Sequence, residues 1–386
     1  MSGQIRHTNA ATVRGVRHPL AVGATFCSLV LAALIAQATP ASADELTLPK
    51  VDVGFYIQPQ LKSTQNSPVA DDEDGFAVRR FRVMFSTERA LACCWKLALK
   101  SEIEVFPNFT AQDAYVELSG PTTFGALRFD LGQFKAPFSR QTLVSDSRLQ
   151  LVEKAQITTL APDRQIGFQA VATLPYSEVS LGIFNGEGKN ITDNQDENFE
   201  YVGRVTFRPL GQDAKLMESA FQGVQLEISG SIAHNRRFKE TGDQIVDYYG
   251  VDGFAAWEGA SLAAEYLLAR TTFEEGAVSS TPFDANGFYV QGGYLLPLPG
   301  WAWRRFELAA RLEEVDRNDT VPIQQPGNAE QSERYYTVGA SYYHAKHDLK
   351  IQLQASHIVE IEDRTATGMD ASYDNDTVLL QVTYRQ

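Results

Sequence analysis

Val224-Gln225-Leu226-Glu227-Ile228-Ser229-Gly230-Ser231-Ile232-Ala233 decides how the rest of the chain is read. Apolar and polar side chains alternate one for one, the period of a strand with two chemically different faces. The alternation recurs upstream, where Phe81, Val83 and Phe85 interleave with Arg80, Arg82 and Met84, and Leu127, Phe129 and Leu131 with Arg128, Asp130 and Gly132. It recurs downstream, where Leu308, Ala310 and Leu312 alternate with Glu307, Arg311 and Glu313, and Leu349, Ile351 and Leu353 with Lys350, Gln352 and Gln354. Many runs approach the roughly 9–11 residues of a tilted membrane strand, against about 5–6 for a globular one.

Extended along the chain, the alternation predicts sixteen strands, near 54–61, 76–87, 95–105, 113–119, 126–134, 165–174, 178–184, 200–208, 223–233, 248–257, 260–271, 287–296, 305–315, 334–343, 348–359 and 375–385. Odd-numbered connections are generally long and polar, the longest running from Lys135 to Arg164. Even-numbered ones are mostly tight, such as Pro175-Tyr176-Ser177 and Glu258-Gly259; the turn at 209–222 is too long for that pattern. Loop length sorted by parity has no cause in a soluble sandwich, but it is the rule in outer-membrane barrels, whose short turns face the periplasm. The expected fold is therefore all-β: a transmembrane antiparallel β-barrel of about sixteen strands, with long extracellular loops and an inward-folded third loop. Trp95, Phe106, Phe134, Phe184, Phe199, Trp301, Trp303 and Tyr384 lie near strand ends, where aromatic girdles form.

The first 43 residues stand apart. They hold Arg6, Arg14 and Arg17 but no acid, then an uncharged apolar run from Leu20 to Ala38, Pro40, and the small triplet Ala41-Ser42-Ala43. These are the three parts of a secretory signal, cleaved after Ala43; a retained anchor is the alternative, since the run is long enough to span a bilayer. The expected organisation is a signal peptide at 1–43, a short periplasmic segment at 44–53 and a barrel at 54–386. The whole chain has a formal charge of −14, and losing three arginines makes the mature part more acidic still. Such a chain is a poor nucleic-acid binder, because duplex binding depends on neutralising phosphates. Cys93 and Cys94 are adjacent, which suits neither a disulfide framework nor a metal site. His344 and His347 read as turn residues, and no cofactor is expected.

Three stretches resemble the phosphate-selective porin O/P family: Arg79-Arg80-Phe81-Arg82, the run Leu127-Arg128-Phe129-Asp130-Leu131-Gly132-Gln133-Phe134-Lys135-Ala136-Pro137-Phe138-Ser139, and Ala161-Pro162-Asp163-Arg164-Gln165-Ile166-Gly167-Phe168-Gln169. Gly182-Ile183-Phe184-Asn185-Gly186-Glu187-Gly188 looks like that family's next strand end and loop. The resemblance implies a sixteen-stranded trimeric porin with inward loops and basic side chains guiding anions. The chain departs from the family at its end, Val382-Thr383-Tyr384-Arg385-Gln386, where such barrels commonly finish on an aromatic.

On the polar phase of the strands, Arg80, Arg82, Lys96, Lys100, Arg128, Arg204, Arg208, Arg311 and Lys350 face Glu102, Glu104, Glu117, Asp130, Glu227, Glu265, Glu307 and Glu313, so the wall is mixed rather than basic. The candidate pore-lining and anion-binding residues are Arg80, Arg82, Arg128, Lys135, Arg140, Arg164, Arg204 and Arg208. Arginine suits oxyanions because its planar fork reaches two oxygens at once; the alternative is that these cations pair with lumen acids and hold the wall and loop together. Gly186-Glu187-Gly188-Lys189-Asn190 lacks the glycine spacing and the Ser/Thr of a phosphate loop, and no catalytic triad is readable, so no enzyme activity is expected. The function read from the sequence is a passive porin for small anions, phosphate among them, or small polar solutes. Its expected partners are outer-membrane lipid and lipopolysaccharide and, as the family resemblance implies, two further copies in a homotrimer. The alternatives are a loop-plugged structural or adhesive barrel and, third, an outer-membrane hydrolase.

Overall fold

The computed structural model describes residues 50–65, 74–211, 218–221, 223–237, 243–273, 281–319, 332–361 and 376–386. The segment expected to be a signal, 1–43, lies outside the described residues, as do 44–49. The strands are β1 (Val51–Thr64), β2 (Gly75–Ala90), β3 (Lys96–Phe106), β4 (Thr110–Thr122), β5 (Gly125–Lys135), β6 (Arg164–Thr173), β7 (Ser177–Phe184), β8 (Glu200–Phe207), β9 (Gln225–Arg237), β10 (Gln244–Trp257), β11 (Ala260–Phe273), β12 (Phe283–Pro297), β13 (Trp303–Asp316), β14 (Ser332–Ala345), β15 (Leu349–Glu360) and β16 (Thr377–Arg385). Each pairs antiparallel with its neighbour in sequence, and β16 closes on β1 in a register that sets Tyr56 opposite Arg385 and Thr64 opposite Thr377. Closure leaves no edge strand, so the backbone groups of the wall find partners within the sheet, as hydrocarbon requires.

Sixteen strands are what the alternation predicts, with ends that differ by a few residues. β1 starts at Val51, so Val51–Val53 belong to the barrel and not to the segment 44–53. β10 starts at Gln244, four residues before the expected 248. The alternation fades there because the strand ends carry charge on their outer face too. His234 Nδ1 lies 2.7 Å from Asp247, Arg270 3.0 Å from Asp284, and Arg334 2.7 Å from Glu314, each pair joining adjacent strands.

The outer face of the wall is apolar: Leu131, Leu181, Val205, Ile228, Ile232, Val251, Leu262, Leu308, Val338 and Leu353 are all exposed. A continuous belt of this kind is tolerated in lipid and would aggregate in water. Trp95 just before β3, Phe129 of β5 and Phe168 of β6 stack in a ladder, and Trp95 lies over the bare backbone of Gly120. Of the expected girdle residues, Phe106, Phe199, Trp301 and Tyr384 are exposed, whereas Phe134 and Phe184 point inward and are buried. Those two sit on the lumen phase of β5 and β7 and pack edge-on against each other at 5.4 Å. The side chain of Trp303 lies outside the described residues.

Gly132 explains part of the family-like run on β5. Its φ is +133°, and a Cβ there would lie 2.3 Å from the Ala114 carbonyl oxygen. Only glycine avoids that clash. The bare position lets Tyr115 of β4 lie opposite Gly132 and meet Phe134 edge-on at 5.5 Å.

The interior is less polar than alternation implies. Val202, Val246, Phe254, Leu267, Tyr289 and Leu295 lie on the lumen face of β8 to β12, yet they are buried in one apolar cluster with Phe138 and Ile157 of the connection between β5 and β6. A wet lumen would penalise that face. A chain segment packed against it makes it a core.

Candidate functional site

Residues 136–163, between β5 and β6, form the loop expected to fold inward, here called loop 3. Ala136, Phe138, Val144, Leu149, Leu151, Val152 and Ile157 are each almost fully buried inside the barrel. The loop opens with one helical turn, α1 (Arg140–Leu143), whose N-cap Ser139 accepts a hydrogen bond from the Thr142 amide at 3.2 Å. Elsewhere it is irregular, so its buried amides and carbonyls need partners from the wall.

The wall supplies them. Glu265 on β11 accepts from the Arg140 amide at 3.1 Å, Glu313 on β13 from the Ile157 amide at 2.8 Å, and Gln354 on β15 from the Val152 amide at 2.8 Å. Donors meet the carbonyls. Arg204 on β8 and Ser231 on β9 both donate to the Phe138 carbonyl, Arg311 on β13 to those of Glu153 and Lys154, and Lys350 and Gln352 on β15 to those of Leu149 and Gln150. These anchors, with Gln58 on β1 donating to the Asp146 carbonyl, follow the wall from β8 round to β1.

The sequence-derived candidates fall into two clusters and one outlier. In the first, Arg82 pairs with Glu102 at 2.8 Å, with Glu104, and with Asp146 of loop 3 at 2.9 Å; Arg80 Nε is 3.4 Å from the same Asp146 carboxylate. Arg164 pairs with Asp113 at 2.8 Å, while Lys135 donates to the Val144 carbonyl at 3.0 Å. Burial pushes the Asp146 carboxyl up, but Lys154, Arg80, Arg82 and Lys135 outweigh it and hold it well below the usual carboxylate range. In the second cluster, Arg204 grips Asp252 through two bonds of 2.6 and 2.9 Å. Arg208 pairs with Glu227 at 2.7 Å, and Arg140 Nε lies 3.3 Å from Glu227 with its guanidinium over the Phe254 ring at 4.2 Å. Arg128 stands apart, 3.1 Å from Asp130, with 43 % of its side chain exposed.

Exposure of charged side chains marks where water reaches the interior. Arg140, Arg204, Arg164 and Asp146 are almost wholly covered, whereas Arg128, Lys100 at 39 % and Glu178 at 29 % are not. The open groups lie on β3, β5 and β7, across the lumen from the loop's β11 to β15 anchors. The arrangement can present paired charges of both signs to a passing solute along one lane of the lumen.

Two residues that matter here escaped the sequence reading. Asp252 sits in Val251-Asp252-Gly253-Phe254, where an aromatic shares its face and hides the polar phase. Glu218 lies in the connection between β8 and β9, where strand periodicity gives no signal. Of the motif set aside as a phosphate loop, Lys189 donates to Gln112 at 3.3 Å, the Asn190 amide to Gln133 at 2.7 Å, and the Gly186 carbonyl accepts from Asn235 and Arg237. It staples the β7–β8 loop to the wall. His347 turns inward beside Tyr343, and His344 is exposed on the same turn. Cys93 and Cys94 are free and exposed between β2 and β3.

Comparison with known proteins agrees with this architecture. An anion-selective porin from Comamonas acidovorans superposes with a TM-score of 0.61 at 14 % identity, covering 87 % of this chain and 99 % of that one. The outer membrane channel DcaP of Acinetobacter baumannii gives 0.60 at 11 %, covering 90 % and 100 %. OmpF of Salmonella typhi, in complex with daunomycin, gives 0.59 at 13 %, covering 88 % and 98 %. At such identities the likeness is one of fold. An uncharacterized protein of Aquifex aeolicus (strain VF5) is 24 % identical over 213 residues, 49 % of this chain, so the match spans about half the length of that relative. The family described as phosphate-selective porin O and P matches residues 69–385, nearly the whole barrel, and the chain belongs to that family of bacterial outer-membrane proteins.

Proposed function

We propose that this chain is a passive diffusion channel for small anions or small polar solutes, its path running along β3, β5 and β7 beside loop 3. The observation that carries the reading is that Lys100, Arg128 and Glu178 stay 29–43 % exposed on the lumen face, while Arg140, Arg164, Arg204 and Asp146, which hold loop 3, are covered. Of the candidate residues, Arg128 lines this lane and Arg208 lies covered at its edge, 3.7 Å from Glu178; Arg80, Arg82, Lys135, Arg140, Arg164 and Arg204 hold loop 3 and the wall. A ladder of free arginines for phosphate is not what they form, since each has carboxylate or carbonyl partners. Selection by the lane rests on a few half-exposed charges of both signs, which replace lost hydration only in part.

Export through a signal cleaved after Ala43, assembly as a homotrimer, and contact with lipopolysaccharide complete the proposal. Purified protein in planar bilayers is expected to give discrete conductance steps, and R128A with K100A to move the reversal potential toward cation preference. Absence of steps contradicts the reading. A second reading, a barrel plugged by loop 3, is favoured by how densely the loop is anchored; under it, replacing 140–158 with a short Gly-Ser linker creates a conductance the intact protein lacks.

A further inference from the structure

The connection between β8 and β9 breaks the rule that even-numbered turns are short, and four of its residues explain where the extra chain goes. Glu218, Ser219 and Ala220 are buried inside the barrel, each at most 1 % exposed. Phe221 packs edge-on against Tyr343 at 4.8 Å and His347 at 5.5 Å, at the end of the wall where β14 turns into β15. This turn therefore enters the lumen from the end opposite the one loop 3 starts from.

Glu218 is where the two insertions meet. Its carboxylate accepts from the Gln141 side-chain amide at 2.9 Å, the Gln150 backbone amide at 2.8 Å and the Gln291 side-chain amide of β12 at 3.2 Å. Gln141 in turn accepts from the Ala155 amide, so one carboxylate connects the helical turn, the middle and the returning limb of loop 3. Beside it, Ser219 donates to Glu307 at 2.9 Å, and Glu307 also accepts from the Gln150 side chain at 2.7 Å. Three donors converging on one buried group need an acceptor-only side chain, which an ionised carboxylate is and an amide is not.

We infer that the β8–β9 turn is the second half of the constriction and that Glu218 is a positioning residue that sets where loop 3 sits. The inference rests on the channel reading only for its effect on current; the contact itself stands apart from it.

Hydrogen–deuterium exchange on the folded full-length barrel, with single-channel recording, tests both parts. In E218Q the new amide group faces amide donors, and exchange at Gln150 and Ala155 is expected to quicken at least about tenfold, while Val205 and Ile228 in the wall are unchanged. S219A, which keeps Glu218, is expected to leave Gln150 close to wild type. Loosened loop 3 is expected to add brief closures to the E218Q current. Unchanged exchange at Gln150 and Ala155 in both E218Q and E218A, with the barrel intact, overturns the inference even if the wild type conducts. Faster exchange in a protein that never conducts supports the positioning role and removes the channel reading instead.

Discussion

Removing the Arg204 side chain should cost more than any lumen change that leaves no charge stranded. Arg204 is 5 % exposed and Asp252 4 %, and they share two hydrogen bonds of 2.6 and 2.9 Å. The same guanidinium holds the Ser231 hydroxyl at 2.9 Å and the Phe138 carbonyl of loop 3. R204L leaves a buried carboxylate without its cation, a loss of about 3–5 kcal/mol for broken buried pairs. D252L strands the guanidinium instead and should fall in the same range. R204L/D252L strands neither, and its leucines meet the apolar face made by Phe254 and Phe138. The double variant should therefore be more stable than either single one by about 2 kcal/mol or more. Equilibrium unfolding in urea, followed by tryptophan fluorescence of the vesicle-embedded barrel, reads these differences. If R204L lies within about 1 kcal/mol of wild type, or the two losses simply add, the pair is not the buried lock described here.

Other consequences can be checked separately. G132A should lower stability by about 2–3 kcal/mol or block assembly, because its φ of +133° and the Ala114 carbonyl leave no room for a Cβ; G230A, which meets nothing within 4 Å, should shift the unfolding midpoint negligibly. Asp146 is held below its ordinary pKa, so its contribution is complete above the unfolded value of about 3.9 and fades only as pH falls through the folded one. Protection of the amides in residues 144–150, taken relative to the intrinsic exchange rate at each pH, should thus be steady from neutral pH to about pH 4 and fall below it, and D146N should flatten that dependence. Opposing pH dependence would show that the Arg80, Arg82 and Lys154 contacts do not set the charge of Asp146.

The barrel was legible because its signal is repeated sixteen times, and Val224 to Ala233 has the same two-face pattern that the observed β9 displays. The connection between β5 and β6 was legible as the longest in the chain. What alternation could not convey is what the lumen face touches. Phe254, Leu267 and Leu295 look like any apolar strand residue, and only a loop packed on them makes an inward direction tolerable. Arg80, Arg82 and Arg204 fall on the polar phase of their strands, but a cation in sequence carries no sign of its partner. Asp146 lies 64 residues from Arg82, and Asp252 lies 48 from Arg204. Glu218 had no signal of any kind beyond the anomalous length of its turn, because satisfying the loop's amides is a property of three distant segments together.

The most direct test of the lane is cysteine modification during single-channel recording. With Cys93 and Cys94 replaced by serine, Arg128→Cys should respond to an anionic methanethiosulfonate reagent with a stepwise fall in current, and Phe129→Cys, on the lipid face, with none. Current that is indifferent to modification at 128, or no current in any variant, would contradict a conducting path along β3, β5 and β7.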